Sequence, residues 1–182
     1  NPAKLRPAST DIVMRIGIVT ETYPPEINGV ALTVHHLAAG LAARGHSIDL
    51  IRPRQPESHA DERGIDAFEV PGIGLPRYPG LRLGLPAGRQ LRQRWLQQRP
   101  DAIYVATEGP LGWSAMRAAG QLGIPLSSGF HTRFDHYAGH YGVRLLTPLV
   151  RAYLRRFHRR AMATLVPTST LAQELHAMGI AN

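Results

Sequence analysis

The sequence predicts a single α/β domain built on a doubly wound parallel sheet. Short apolar segments that suit buried strands alternate along the chain with longer segments of helical periodicity. This alternation is typical of βαβ units, in which helices cover both faces of a parallel sheet. The chain has 182 residues, of which 43% are hydrophobic and 19% are charged, so it can bury one ordinary core.

The elements follow one another with clear boundaries. The first strand is predicted over 15–20, and a loop marked by Pro24-Pro25 separates it from a helix over 29–44. The remaining strands are predicted over 47–51, 67–70, 102–106, 124–128 and 164–166, and the remaining helices over 90–98, 111–121, 145–160 and 171–178. Gly45, Gly123 and Gly179 are predicted to end helices. Residues 71–88 hold five glycines and four prolines, which predicts an exposed excursion.

The ends and the composition limit where the protein acts. Residues 1–13 show no periodicity, which indicates a disordered leader or a cloning remnant before a domain over 14–182. No apolar run approaches the roughly 20 residues that span a bilayer, and no secretory signal is visible, so a cytoplasmic location is expected. The chain has no cysteine, which excludes a disulfide scaffold, a thiolate zinc site and a cysteine nucleophile.

The charge is strongly basic. Lysine and arginine number 21 against 13 acidic residues, for a net charge of +8. Two stretches, 70–100 and 136–173, contain no acidic residue at all. Such a surface favours an anionic partner, which could be nucleic acid, acidic lipid or a phosphorylated small molecule. Arginines that merely solvate exposed faces would give the same composition.

The loop after the first strand is the first candidate site, because ligands of open α/β sheets bind beyond the carboxyl ends of the strands. It lacks the G-x-G-x-x-G pattern of dinucleotide sites, and no Gly-Lys-Ser/Thr of a P-loop occurs in the chain. Asn28-Gly29-Val30 stands at a helix start, where free N–H groups and the helix dipole can hold an anion. The same residues also suit a simple N-cap and turn.

These residues carry a family resemblance. The segment from Arg15 to Val30, RIGIVTETYPPEINGV, resembles the N-terminus of the retaining family 4 glycosyltransferases of GT-B fold. The loops TEGPLG (107–112) and FHTRFDHY (130–137) follow predicted strands in the same register, and VPTS (166–169) is similar to the strand and cap that close the N-terminal half of such enzymes. The resemblance is to bacterial GDP-mannose-dependent mannosyltransferases and to glycolipid and sulfolipid glycosyltransferases.

The resemblance implies a Rossmann-like, acceptor-side domain. Such enzymes move a hexose from a nucleotide-diphosphate sugar to an acceptor, here expected to be a lipid or another membrane-associated molecule. The nucleotide site and the acidic Glu-x7-Glu element of the family belong to a C-terminal domain, and nothing in this chain corresponds to them. The chain alone is therefore expected to be inactive. The partners implied are a nucleotide sugar, a lipid or glycan acceptor, the C-terminal domain and an anionic membrane surface.

The resemblance also assigns residues. His131 matches the family histidine that contacts the transferred sugar near the reaction centre, so it is the expected catalytic residue. The expected substrate-binding residues are Glu21, Tyr23, Asn28, Gly29, Val30, Glu108, Gly109, Thr132, Arg133 and Asp135. His131, Asp135, His136 and His140 could also suggest a metal site, but the resemblance implies neither a metal nor another cofactor.

The helix over 145–160 is strongly amphipathic. On a helical wheel its apolar residues fall in one arc, which is expected to pack on the sheet, and its arginines lie on the opposite side. The apolar arc comprises Leu146, Leu149, Val150, Tyr153, Leu154 and Phe157. Arg151, Arg155 and Arg159 are the expected membrane-facing residues. The alternative functions are a non-catalytic Rossmann-like binder and a basic anion- or nucleic-acid-binding module, although no helix-turn-helix or aromatic strand platform is visible.

Overall fold

The computed structural model describes residues 12–56, 63–75, 78–131 and 147–182. In these ranges the strands are β1 (Arg15–Val19), β2 (Ser47–Pro53), β3 (Ile65–Val70), β4 (Gly72–Leu75), β5 (Tyr78–Gly84), β6 (Ala102–Val105), β7 (Leu126–Gly129) and β8 (Ala163–Leu165). The helices are α1 (Gly29–Ala43), α2 (Gly88–Gln97), α3 (Pro110–Leu122), α4 (Thr147–His158) and α5 (Ser169–Ala177). The leader predicted over 1–13 lies almost wholly outside the described residues.

Six strands form one parallel sheet in the order β3-β2-β1-β6-β7-β8. β1 pairs in parallel with β2 on one side and with β6 on the other, so the strand order reverses between β1 and β6. The predicted doubly wound architecture is therefore confirmed. All carboxyl ends of this sheet lie at the same edge, and the reversal opens a crevice there.

The strands read as continuous apolar runs because both faces of the sheet are buried. Ile18 and Leu50 pack in a cluster with α1, whereas their neighbours Val19 and Ile51 pack in a second cluster with α2 and α3. Successive side chains of a strand point to opposite faces, so neighbouring apolar residues enter different cores. A third cluster, which includes Phe130 and Leu154, lies beside α5.

The predicted helix boundaries have clear physical causes. Asn28 caps α1 by accepting a hydrogen bond from the N–H of Ala31 at 2.9 Å, and Thr168 caps α5 in the same way through the N–H of Leu171 at 3.2 Å. The three predicted stop glycines, Gly45, Gly123 and Gly179, have φ angles of +89°, +61° and +81°. This left-handed conformation ends a helix and favours glycine.

The excursion predicted over 71–88 contains a hairpin that the sequence did not predict, and Ile73 in this hairpin is 51% exposed. β4 and β5 form an antiparallel hairpin in which Gly72 pairs with Gly84 and Ile73 pairs with Leu83. The N–H of Leu85 donates to the carbonyl oxygen of Pro71 at 2.8 Å and extends the pairing. Antiparallel pairing satisfies backbone groups regardless of side chain, so a glycine- and proline-rich composition conceals it.

The face that α4 buries also differs from the prediction. Leu154 and Phe157 are buried as expected, but Leu149 is 67% exposed and Tyr153 is 41% exposed. Fully buried His158 occupies the face instead. Its ring nitrogens are hydrogen-bonded to Ser128 and Glu108. These bonds offset the free-energy cost of burying a polar ring, so the buried face of α4 includes His158 and not Leu149.

The carboxylate of Glu21 ties three distant segments together. One of its oxygens accepts from the N–H of Leu111 in the first turn of α3 at 2.9 Å, and the other accepts from the N–H of Gly84 at the end of the hairpin. The N–H of Glu21 itself donates to Oγ1 of Thr107 at 2.9 Å. Glu21 is only 6% exposed. Burial outweighs these hydrogen bonds and raises the pKa of Glu21 from 4.5 to about 7.

This shift predicts a specific loss of stability with rising pH. Between about pH 4.5 and 7 the folded protein keeps a proton on Glu21 that the unfolded chain has already released, because the pKa in the folded state is about 7. The Glu21 contribution is therefore most favourable below pH 4.5, declines through this window and is constant above pH 7. Its full size is about 3–4 kcal/mol, at about 1.4 kcal/mol for each pKa unit.

Urea unfolding of the wild type and of Glu21→Gln from pH 4 to pH 8 measures this contribution. We expect the free energy of unfolding of the wild type to fall relative to the variant as pH rises. Glu69→Gln is the control, because it removes a carboxylate that is ion-paired with Arg52 rather than buried without a cation. The free energy of unfolding of the wild type should not fall relative to Glu69→Gln as pH rises. Parallel pH profiles of wild type and Glu21→Gln would contradict the assignment.

Candidate active site

The candidate site lies at the carboxyl edge of the sheet, where the chain leaves β1, β6 and β7. The contacts of Glu21 with Thr107 and Leu111 join the loop after β1 to the loop after β6. His131, directly after β7, reaches Tyr104 on β6 through its ring. The structure therefore brings the first loop, residues 107–112 and His131 together at one edge, as the sequence predicted.

The helices that follow β1 and β6 both begin at this edge, but their N-termini differ. The Glu21 carboxylate occupies the N-terminus of α3, and a Cβ on Gly109 would lie 2.2 Å from the Glu21 oxygen. At α1, Asn28 satisfies the N–H of Ala31, whereas the N–H groups of Gly29 and Val30 have no hydrogen-bond partner among the residues that the structure describes. Of these two helix ends, the one at α1 is therefore open to an anion.

A buried polar network holds the start of α1 in place. Nδ2 of Asn28 donates to Oγ1 of Thr22 at 2.7 Å, and that hydroxyl donates to the carboxylate of Glu26. The other Glu26 oxygen accepts from Nε2 of Gln55 at 2.7 Å. A Cβ added to Gly29 would meet no atom within 4 Å, so the space in front of this residue is open.

Tyr23 lies beneath the same loop and is buried. Its hydroxyl is 3.1 Å from Nδ1 of His35 on α1, and the guanidinium of Arg52 lies over its ring at 5.5 Å from the ring centre. Arg52 also donates to the carbonyl oxygen of Pro24 at 2.9 Å. Tyr23 thus supports the loop from below, and a direct contact of Tyr23 with substrate stays a prediction.

Glu108 follows β6 and is buried among aromatic and polar rings. Its Oε1 lies 3.3 Å from Nε2 of His158, whose Nδ1 lies 2.9 Å from the hydroxyl of Ser128. The hydroxyl of Tyr153 on α4 donates to the backbone oxygen of Glu108. The negative charge of Glu108 acts on His131, Tyr104 and Tyr153, so this carboxylate is the central charge of the candidate site.

The His131 ring is partly buried and contacts Tyr104. Its Nε2 lies 2.5 Å from the Tyr104 hydroxyl. Burial lowers the pKa of His131 below its ordinary value, and the charge of Glu108 opposes this only in part. Burial, with a smaller effect of Glu108, raises the pKa of Tyr104 to about 12. At neutral pH the pair is therefore a neutral imidazole beside a protonated phenol.

Several predicted residues fall outside the described ranges. Thr132, Arg133 and Asp135 belong to 132–146, as do His136 and His140, so their predicted contacts stay predictions. Among the residues with described placement, no group of three or more His, Cys, Asp or Glu side chains is arranged to hold a metal ion. Arg151 and Arg155 on α4, and Arg159 directly after it, are all exposed.

Sequence reasoning missed three residues at this edge. Tyr104 belongs to an apolar strand and reads as a core residue, His158 lies within a run of arginines, and Ser128 is a small residue in a strand. None of these positions belongs to a motif. The one available signal is the period of α4, because His158 lies one turn after Leu154 and so shares its buried face.

The arrangement can bind an anion and a polyol side by side. The open N-terminus of α1 supplies N–H donors and a positive dipole end. His131 and Glu108 supply a neutral imidazole and a buried carboxyl group, which suit hydrogen bonds to hydroxyl groups. No helix among the described residues is both long enough and apolar enough to cross a bilayer.

Comparison with known proteins supports the family resemblance. Residues 27–182 match the sequence profile described as Glycosyltransferase Family 4. The GDP-mannose-dependent alpha-mannosyltransferase of Mycobacterium tuberculosis is 32% identical over 172 residues, which cover 92% of this chain and 45% of that protein. The alpha-monoglucosyldiacylglycerol synthase of Acholeplasma laidlawii is 30% identical over 172 residues, which cover 89% of this chain and 42% of that protein. The chain thus spans less than half the length of these curated relatives.

Solved structures agree on the fold. A putative UDP-N-acetylglucosamine 2-epimerase from Listeria monocytogenes superposes with a TM-score of 0.54 at 12% identity, over 92% of this chain and 43% of that chain. The UDP-GlcNAc 2-epimerase of Methanocaldococcus jannaschii gives a TM-score of 0.51 at 15% identity, over 92% and 43% of the two chains. At such identities the likeness concerns the fold alone. The profile match and the relatives at 30% identity or more carry the assignment, and the chain belongs to glycosyltransferase family 4.

Proposed function

We propose that this chain is the acceptor-side domain of a retaining glycosyltransferase. The enzyme would move a hexose from a nucleotide-diphosphate sugar to a lipid or another membrane-associated acceptor. The observation that carries the proposal is the open N-terminus of α1 at the same strand edge as Glu108 and His131, in a chain of family 4. Anion-binding N–H groups beside hydroxyl-binding side chains match the two parts of a sugar phosphate.

The relatives support both halves of this proposal. One is named for its dependence on GDP-mannose and another for the synthesis of a glucosyldiacylglycerol, so donor and lipid product both appear among them. Both are more than twice as long as the matched region. We therefore propose that a second, C-terminal domain holds the nucleotide. The domain described here would bind the acceptor and contact part of the donor sugar.

Each side chain at the edge has a proposed role. Gly29 and Val30 give backbone N–H groups to the donor, and His131 contacts the transferred hexose. Glu108 and Asp135 accept hydrogen bonds from acceptor hydroxyls, and Thr132 and Arg133 also bind the substrate. The gain in rate comes from positioning and charge stabilisation in a closed cleft, and no metal or other cofactor is required for it.

Helix α4 is the proposed membrane contact. Arg151, Arg155 and Arg159 are exposed, and the exposed apolar side chains of Leu149 and Tyr153 lie on the same helix. A helix that exposes several basic side chains, and some apolar and aromatic surface as well, favours a peripheral position on an anionic leaflet. We propose that this contact brings the cytoplasmic enzyme to its lipid acceptor.

The division of labour between domains can be tested on the chain itself. We expect calorimetry with GDP-mannose and UDP-glucose to show binding weaker than micromolar and no turnover, because the nucleotide-binding contacts lie on the other domain. Guanosine and uridine are the controls, since they lack the phosphates that the α1 N-terminus would bind. Micromolar affinity for either nucleotide sugar, or for nucleic acid instead, would contradict this assignment.

The role of His131 can be tested in the two-domain enzyme by hexose transfer from GDP-mannose or UDP-glucose to a glycerolipid. An imidazole hydrogen bond that forms mainly in the transition state contributes roughly 10²–10³ in rate. We therefore expect His131→Ala to lower turnover by about that factor with folding and nucleotide affinity preserved. The control is His176→Ala at an exposed position of α5, which should keep turnover, and a chelator should have no effect. Full turnover in His131→Ala, or loss on chelation, would overturn the assignment.

The membrane contact predicts salt-sensitive binding to vesicles that contain phosphatidylglycerol. Each exposed base contributes about 1 kcal/mol near such a surface, so replacing Arg151, Arg155 and Arg159 by glutamine should weaken binding by up to about 100-fold at low salt. The control replaces exposed Arg89 and Arg92 on α2 and exposed Arg117 on α3 by glutamine. It removes the same number of positive charges from the protein, but not from α4. Equal losses in both triple variants would show that only the net charge matters.

A further inference from the structure

Tyr104 and His131 form a hydrogen-bonded pair beneath the candidate site. Tyr104 is buried on β6, and its hydroxyl lies 2.5 Å from Nε2 of His131. The two rings are nearly perpendicular, with an interplanar angle of 89° and centres 6.3 Å apart. The phenol therefore meets the imidazole in a geometry that fixes both the position and the rotation of the His131 ring.

Gly129 provides the space for this pair. A Cβ at this residue would lie 2.2 Å from the Tyr104 hydroxyl oxygen and 2.5 Å from Nε2 of His131. Real side chains do not tolerate such distances, so any other residue at the end of β7 would push the two groups apart. The hydrogen-bonded pair therefore packs directly against the backbone of β7 at Gly129.

The protons of the pair determine its direction. Tyr104 has one hydroxyl proton, and the pKa of about 12 means that it keeps this proton at neutral pH. Among the residues that the structure describes, His131 is the one hydrogen-bond partner of the Tyr104 hydroxyl. If Nε2–H donated to the phenol, the buried phenol proton would have no acceptor within these residues, which costs free energy. Donation from Tyr104 to Nε2 leaves no such unsatisfied proton.

We infer that Tyr104 is a positioning residue that fixes His131 as a hydrogen-bond donor toward the substrate. Because Nε2 accepts from the phenol, the proton of the neutral imidazole is on Nδ1. That nitrogen then donates to an oxygen acceptor of the ligand. The identity of the ligand rests on the proposed function, in which the acceptor is an oxygen of the hexosyl group. The direction of the Tyr104–His131 bond does not rest on it.

The inference restricts the chemistry available to His131. A nitrogen that carries a proton cannot remove one, so His131 does not act through Nδ1 as a general base. It instead stabilises negative charge or lone-pair density on the oxygen that it contacts. The hexosyl group must accordingly present an acceptor atom to this residue.

The direction of the bond can be measured on the 182-residue chain by NMR, without any sugar. Long-range ¹H–¹⁵N correlations distinguish a protonated from an unprotonated ring nitrogen, and His131→Gln assigns the signals. We expect Nδ1 to be protonated and Nε2 unprotonated in the wild type at pH 7.5. In Tyr104→Phe, which removes only the hydroxyl, we expect this preference to be lost. A wild-type proton on Nε2 would overturn the inference.

A pH titration of the same signals tests the direction of the hydrogen bond independently, through the direction in which the pKa of His131 changes. A phenol that donates to Nε2 stabilises the neutral imidazole, so Tyr104→Phe should raise the pKa of His131. A phenol that accepts from Nε2–H would stabilise the charged form, and its removal would lower that pKa. Glu108 is the charged group that acts on His131, and it is unchanged in both proteins. A lower pKa of His131 in Tyr104→Phe would overturn the inference.

Two further variants complete the design. Tyr23→Phe removes a phenol from the comparable Tyr23–His35 pair and should leave the His131 signals unchanged. Gly129→Ala should separate the pair and reproduce the effect of Tyr104→Phe; retention of the wild-type signals in folded Gly129→Ala would count against the inference.

Kinetics of the two-domain enzyme separate this inference from the proposed function. We expect Tyr104→Phe to lower kcat about tenfold with little change in the KM for the donor, the size of one lost hydrogen bond. An enzyme that transfers no hexose in wild-type form would refute the proposed function while the NMR result still decides the tautomer. Unchanged kcat with a changed tautomer would refute the positioning role.

Discussion

The buried carboxylate of Glu21 is the contact on which the arrangement of the strand edge depends. It joins the end of β1 to the hairpin and to the first turn of α3, which are far apart in the sequence. One of its oxygens also occupies the N-terminus of α3 as the acceptor of the Leu111 N–H. Because that end is filled, α1 is the one of these two helices, α1 and α3, whose N-terminus can receive an outside anion. One internal side chain thus fills the N-terminus of α3 and leaves that of α1 open.

A second buried group supports the other half of the edge. His158 binds Glu108 with one ring nitrogen and Ser128 with the other, so it links the loop after β6 to β7 and to α4. Such a network is stable only when each buried polar atom has a partner. Tyr104 does the same for His131 from the opposite face of the sheet. Both side chains at the edge are therefore held from below, which is the condition for a preorganised site.

The sequence predicted the sheet and the helices because burial on both faces leaves long apolar runs, and because caps and stop glycines are local signals. Asn28, Gly45 and Gly123 illustrate this. The hairpin could not be predicted in the same way, since its pairing is made by backbone groups of residues that favour turns. The burial of His158 and the pairing of Tyr104 with His131 depend on contacts between residues 27 or more positions apart. Periodicity carries no information on such contacts, so the motifs located the edge but not its supports.

The excess positive charge of the chain is unevenly distributed over the structure. The acidic partners of the arginines on the sheet side lie on β2 and β3, where Asp49 and Asp66 bind Arg94 and Glu69 binds Arg52. Residues 136–173 contain no acid in the sequence, and no arginine of α4 has an ion pair among the described residues. The opposite charges of these ion pairs cancel locally, so their electrostatic field is negligible beyond about a Debye length. The uncompensated charge of the described residues is therefore greatest on α4. An anionic surface would therefore be drawn to that helix first.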